Sequence, residues 1–121
     1  MQHVLFVYGT LRCGEMNHRY LSKASFLREA LTVPGYALYD CGPYPGLVEE
    51  VAGEGVVMGE LYALDDETLE HVDALEQHPT FYLRNGISLA DGTRAETYLL
   101  RPDQVDGWTR IANGDWCRRH D

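Results

Sequence analysis

The stretch VLFVYGTLRCGE, Val4 to Glu15, decides how the rest of the chain is read. Its first half, Val4-Leu5-Phe6-Val7-Tyr8, is β-branched or aromatic at every position except Leu5, which suits a strand covered on both faces. The second half turns polar behind Gly9, where a backbone without a Cβ can turn or come close to another group. A buried strand that runs through glycine into polar residues reads as the entrance to a binding loop.

Outward from this stretch, the chain has the length of one domain, 1–121, with room for a real core. Apolar residues make up 45% and charged residues 24%, the balance of a globular protein. The longest apolar run is the five residues Val4–Tyr8, too short to span a membrane, and no basic stretch precedes an apolar one as a secretory leader would need. Cys13, Cys41 and Cys117 show no CxxC spacing, so neither a zinc site nor a disulfide framework is expected, and the cytoplasm is the expected compartment. Nineteen acidic against ten basic residues give a net charge of −9, which would repel phosphate backbones and argues against nucleic-acid binding.

Along the chain, Gly14 to Ser25 can carry a short helix, and Phe26 to Val33 reads as a strand stopped by Pro34-Gly35. Tyr36 to Asp40 is extended, and Cys41-Gly42-Pro43-Tyr44-Pro45-Gly46 is a turn-rich loop. Gly55 to Leu64 alternates like a strand. Asp65 to His78 is the clearest helix, with Asp65 or Asp66 to cap it, Glu67 in its first turn and Pro79 to end it. Thr80 to Leu89 and Thr93 to Leu100 form a hairpin around Asp91-Gly92, and the segment from Asp106 to Trp116 holds both tryptophans. Strands on hairpin-length links with few helices predict an α+β fold with a mostly antiparallel sheet or small barrel.

One residue breaks the helix pattern. With Leu69 at zero and roughly 100° per residue, Val72 falls near 300°, Glu76 near 340° and Asp73 near 40°. Glu76 therefore lies on the inward stripe between apolar residues. An inward carboxylate costs free energy unless something pairs with it or uses it. Burial, with Asp73 as a like charge close by, should raise its pKa, as a carboxylate exchanging protons near neutral pH requires. The bland alternative is a last-turn glutamate that reaches water. Glu60 is the rival, since its strand face also carries Val56, Met58, Tyr62 and Leu64; a bond to an arginine or a backbone group is the ordinary explanation there. The five histidines offer no metal-ligand spacing beyond a weak Glu67–His71 pair. Cys13, near the loop, is conceivable as a nucleophile, but no flanking pattern marks it as activated.

Several motifs together resemble the gamma-glutamylcyclotransferase-like family. They are VYGTLR after the first strand, PGYALYDCGPYPGL, VMGELYALD, LDDETLEHVDALE followed by FYLR, and ANGDW near the end, as in the small bacterial members. They span almost the whole chain in the family's order. The resemblance implies a small antiparallel β-barrel flanked by helices, and release of an amine or amino acid from a γ-glutamyl compound as the glutamyl part closes to 5-oxoproline. It implies that Tyr8, Gly9, Thr10 and Leu11 hold the glutamyl head group and that Glu76 is the general acid/base. Tyr36, Tyr82 and Tyr98 are candidate pocket walls or hydroxyl donors. No metal or other cofactor is expected, and the partner is a small γ-glutamyl molecule. The alternative on the same fold is a non-catalytic γ-glutamyl or amino-acid binding module. The family usually places glycine after its glutamate, and here Gln77 stands there, which predicts a helix half a turn longer and a differently tilted Glu76.

Overall fold

A computed structural model describes residues 2–121. Eight strands and one α-helix follow one another along the chain. They are β1 (Gln2–Val7), β2 (Ser25–Leu31), β3 (Tyr36–Asp40), β4 (Pro45–Glu49), β5 (Met58–Asp65), α1 (Asp66–Leu75), β6 (Leu83–Ser88), β7 (Arg94–Leu99) and β8 (Thr109–Arg110). The expected helix over Gly14–Ser25 contracts to a single 3-10 turn, His18–Leu21.

The strands build two sheets, one of five strands in the order β2-β5-β1-β7-β6 and one of three in the order β4-β3-β8. Every pairing is antiparallel except β1 with β7, which run parallel with Leu5 opposite Glu96. The fold is thus α+β and mostly antiparallel. The edges of the larger sheet touch at one end, through the bridge Thr32–Leu89, and are not laddered along their length as a closed barrel would be.

The alternation in β1 explains why that strand is apolar throughout. Leu5 and Val7 face a core shared with Leu69 and Val72 of α1, whereas Phe6 and Tyr8 face a second core with Leu38 and Leu47 of the smaller sheet. Leu5 and Phe6 are fully buried, worth about 2 kcal/mol each at ordinary apolar transfer energies. α1 starts where its sequence says it should. The Asp65 carboxylate accepts from the Thr68 N–H at 2.8 Å, and Asp66 and Glu67 sit in the positive first turn.

Its far end departs from expectation. Helical residues stop at Leu75, Glu76 is the C-cap, and Gln77 adopts φ +55°, the left-handed conformation that glycine takes most easily. Gln77 therefore ends the helix and does not prolong it.

Candidate active site

The loop after β1 is held from several sides. Arg12 N–H donates to the Gly9 carbonyl at 3.0 Å, closing a turn over Gly9–Arg12. Asn17 clamps Thr10 twice, its N–H to the Thr10 carbonyl at 2.8 Å and its side-chain amide to the Thr10 hydroxyl at 3.0 Å. His18 Nδ1 lies 3.0 Å from the Leu11 carbonyl and must donate, because a carbonyl only accepts. Gly9 is required for packing as much as for turning: a Cβ there would stand 2.3 Å from Pro45 Cγ, at the start of β4. No described residue accepts from the N–H groups of Gly9, Thr10 or Leu11.

The loop leaves toward a buried ionic knot. The Arg12 guanidinium, almost wholly buried, donates to Glu60 Oε2 at 3.1 Å and to Asp115 Oδ1 at 2.7 Å. Glu60 Oε1 accepts from the Cys13 N–H and from the Tyr62 hydroxyl, both at 2.9 Å. Glu60 thus has the arginine and the backbone partner that its strand position suggested.

A cavity of about 290 Å³ opens beside the loop. Tyr8, Gly9, Thr10 and Leu11 form one wall; Glu76 and Gln77, at the end of α1, form another. Tyr82 and Tyr98 line it too, with Tyr44 and Phe81 packed edge-on against Tyr82 at 6.2 Å and 5.2 Å between ring centres. The structure therefore brings together the loop, Glu76 and two of the three expected tyrosines. Tyr36 is the exception. It sits on β3 and packs against the second core, because the alternation of that strand turns it away from the cavity.

Glu76 is half-buried, and no hydrogen bond to its carboxylate comes from the described residues. Burial alone pushes its pKa up to about 7. Asp73 does not contribute the like charge that the helical wheel suggested. Burial disfavours its ionised form, but Arg84 (2.9 Å and 3.2 Å) and the Tyr98 hydroxyl (2.6 Å) outweigh that and hold it below the usual carboxylate range. The two carboxylates are thereby driven apart, one kept charged and the other poised to exchange a proton near neutrality.

Asn17, Tyr44, Pro45 and Phe81 were not foreseen as site residues. Tyr44 and Phe81 flank residues already under suspicion, but Asn17 carries no signal in the sequence, since its role depends on a fold-back of seven residues. Among the described residues no group of three or more His, Cys, Asp or Glu is arranged to hold a metal ion.

Comparison with known proteins places this geometry. A Vibrio cholerae protein that bears the name "Putative gamma-glutamylcyclotransferase" is 46% identical, over 98% of this chain and 99% of its own. The gamma-L-glutamyl-butirosin B gamma-glutamyl cyclotransferase of Niallia circulans is 38% identical, over 92% of this chain and 67% of its own. Among solved structures, a uropathogenic Escherichia coli-specific protein superposes with a TM-score of 0.87 at 25% identity, covering 99% of this chain and 96% of that one. The sequence profile described as gamma-glutamyl cyclotransferase, AIG2-like, matches residues 5–118. The chain belongs to that gamma-glutamyl cyclotransferase, AIG2-like, family.

Proposed function

We propose that this chain, working as a single domain in the cytoplasm, converts a small γ-glutamyl amine or γ-glutamyl amino acid to 5-oxoproline and the free amine. The observation that carries the reading is the Glu76 carboxylate, without a hydrogen-bond partner among the described residues and with a pKa raised to about 7, in a cavity that also exposes the loop Tyr8–Leu11. Two exposed thiols, Cys13 and Cys117, suit a reducing compartment.

The reaction needs few parts. The backbone N–H groups of Gly9, Thr10 and Leu11 receive the glutamyl α-carboxylate, so an acidic protein can bind an anion without a basic side chain. Glu76 takes a proton from the α-ammonium, whose ordinary pKa lies near 8, a step well matched to a carboxylate near 7. The freed amine attacks its own γ-carbonyl, the five-membered lactam closes, and the C–N bond to the leaving amine breaks. Glu76 passes its proton to the departing nitrogen, and the second proton that the closing lactam nitrogen must shed follows through the same carboxylate, so the amine leaves as an ammonium ion. Because nucleophile and electrophile share one molecule, the cavity's main task is to hold them folded together. No metal and no nucleotide takes part.

The test is release of 5-oxoproline, read by mass spectrometry, from a panel of γ-glutamyl compounds that includes γ-glutamyl-lysine, γ-glutamyl amino acids and γ-glutamylated aminoglycosides. The parent should release it from at least one of them, and Glu76→Gln should lose that activity. A folded parent that binds members of the panel and turns over none replaces the enzyme with the binding module.

A further inference from the structure

The tyrosines of the cavity present themselves in an unusual way. The Tyr8 hydroxyl lies 2.6 Å from the Tyr98 carbonyl, the Tyr82 hydroxyl 2.5 Å from the Pro45 carbonyl, and the Tyr98 hydroxyl 2.6 Å from Asp73 Oδ1. Carbonyl oxygens only accept, and so does Asp73, which is held in its charged form. Each phenol has one proton, and each has already given it to the protein. Burial pushes all three phenols above their ordinary pKa, and the Glu76 charge adds to this in every case. They stay neutral and close enough to Glu76 to feel it. The Tyr8 ring packs in the second core, so what remains to the cavity is the lone pairs of Tyr82 and Tyr98.

We propose that Tyr82 and Tyr98 form, together with Glu76, the seat of the substrate's α-ammonium group, and that their hydroxyl oxygens act there as acceptors only. The inference rests on the γ-glutamyl reading above and adds where the cationic end goes. An ammonium offers three N–H donors. A carboxylate and a set of proton-committed hydroxyls are complementary to it, and they repel the α-carboxylate, which is left to the N–H groups of Gly9–Leu11. The head group is therefore held by opposite chemistries at two ends of one cavity.

The arrangement also protects the nucleophile. Once the ammonium has passed one proton to Glu76, the amine keeps two N–H bonds and gains a lone pair. Hydroxyls free to donate would bind that lone pair and blunt its attack. Hydroxyls whose protons are held elsewhere bind the two N–H bonds and leave the pair free for the γ-carbonyl carbon.

The test uses two ligands that cannot cyclise. L-Norvaline and pentanoate share a carboxylate and an unbranched five-carbon chain and differ by the α-ammonium. Affinities would be measured by ligand-observed NMR at pH 8, where Glu76 is ionised, for the parent, Tyr82→Phe and Tyr98→Phe. The parent should prefer norvaline by at least about tenfold, as expected for a charge-assisted hydrogen-bond set. Each Phe variant should reduce that preference at least about threefold while pentanoate affinity holds, a split that a merely structural role would not produce. The proposal is overturned if the parent binds neither probe or binds both equally. It is equally overturned if the variants keep the preference or lose both ligands together. The readout is independent of turnover. A parent that releases 5-oxoproline without preferring norvaline sinks this seat alone, and one with the preference but no turnover sinks the catalytic reading alone.

Discussion

Glu60, on β5, and Glu76, closing α1, are both carboxylates turned toward the interior, and their surroundings differ in every respect that matters to chemistry. Glu60 is 6% exposed and fully engaged, by the Arg12 guanidinium, the Cys13 N–H and the Tyr62 hydroxyl. Glu76 meets a cavity wall and no hydrogen-bond donor among the described residues. A buried charge with a complete set of partners fixes geometry; one without partners is costly to the fold and free to react. Position on the inward face does not separate the two, but partners do.

The strongest way to break this comparison is to neutralise both groups in turn. Glu76→Gln keeps the size and helix propensity but cannot accept a proton, so kcat for 5-oxoproline release should fall about 10²- to 10⁴-fold. Its melting temperature at neutral pH should not fall. Glu60→Gln should do the reverse: removing one partner of a buried pair leaves Arg12 under-compensated and should cost about 3 kcal/mol in chemical denaturation. Surviving folded Glu60→Gln protein should turn over within a few-fold of the parent. An inactive but stable Glu60→Gln beside an active Glu76→Gln would mean that the two roles are exchanged.

A smaller effect should appear in the pH dependence of stability. Glu76 holds its proton to about pH 7 in the folded chain, against an ordinary value of 4.5. Between those values the folded state binds more protons than the unfolded one, so stability falls as pH rises and the penalty is complete above about 7. Its size should be on the order of 2 kcal/mol, less than a fully buried group with that shift would give, because solvent screens the half-exposed Glu76. Denaturation of the parent and of Glu76→Gln at pH 4.5 and pH 8 measures it: the difference between them should open toward pH 8, with the variant the more stable. Parallel curves would mean that Glu76 titrates normally.

The smallest effect concerns Gln77, at φ +55° directly beyond Glu76. Gln77→Gly relieves a left-handed non-glycine residue but frees the unfolded chain, leaving a net gain of about 0.5–1 kcal/mol. Thermal unfolding would show it as a rise of a few degrees with kcat unchanged. A fall in kcat would mean that the Gln77 side chain, which lines the cavity, has a part in binding.

Much of this was legible because local rules apply locally. The helical wheel finds Glu76 since Leu69 and Val72, both buried, mark the inward face of α1. The strand Tyr36–Asp40 and the Asp91-Gly92 turn, with Gly92 at φ +90°, appear where expected. What sequence reasoning misses depends on partners far along the chain. Arg84 neutralises Asp73 from eleven residues away and cannot be foreseen from the helix alone. The parallel β1–β7 pairing joins residues about ninety apart, whereas hairpin-length links suggest only antiparallel neighbours. β4 is hidden because its first residues, Pro45 and Gly46, read as turn; Gly46 is there because a Cβ would stand 2.6 Å from Leu100. Tyr36 shows the limit most plainly, since an aromatic residue near a loop faces the cavity or the core according to one step of strand register.

The Arg12–Asp115 bond joins residues 103 positions apart. On a ribosome the binding loop emerges early and its acidic anchor comes almost a whole chain later. Until Asp115 arrives, Arg12 has only Glu60, itself 48 residues downstream, to hold it in place. Thr10 and Leu11 have their clamps, Asn17 and His18, close in sequence, so it is the arginine side of the loop that becomes rigid last. A nascent or C-terminally clipped chain without Asp115 would hold its sheet but leave one arm of the Arg12 guanidinium unanswered beneath the loop.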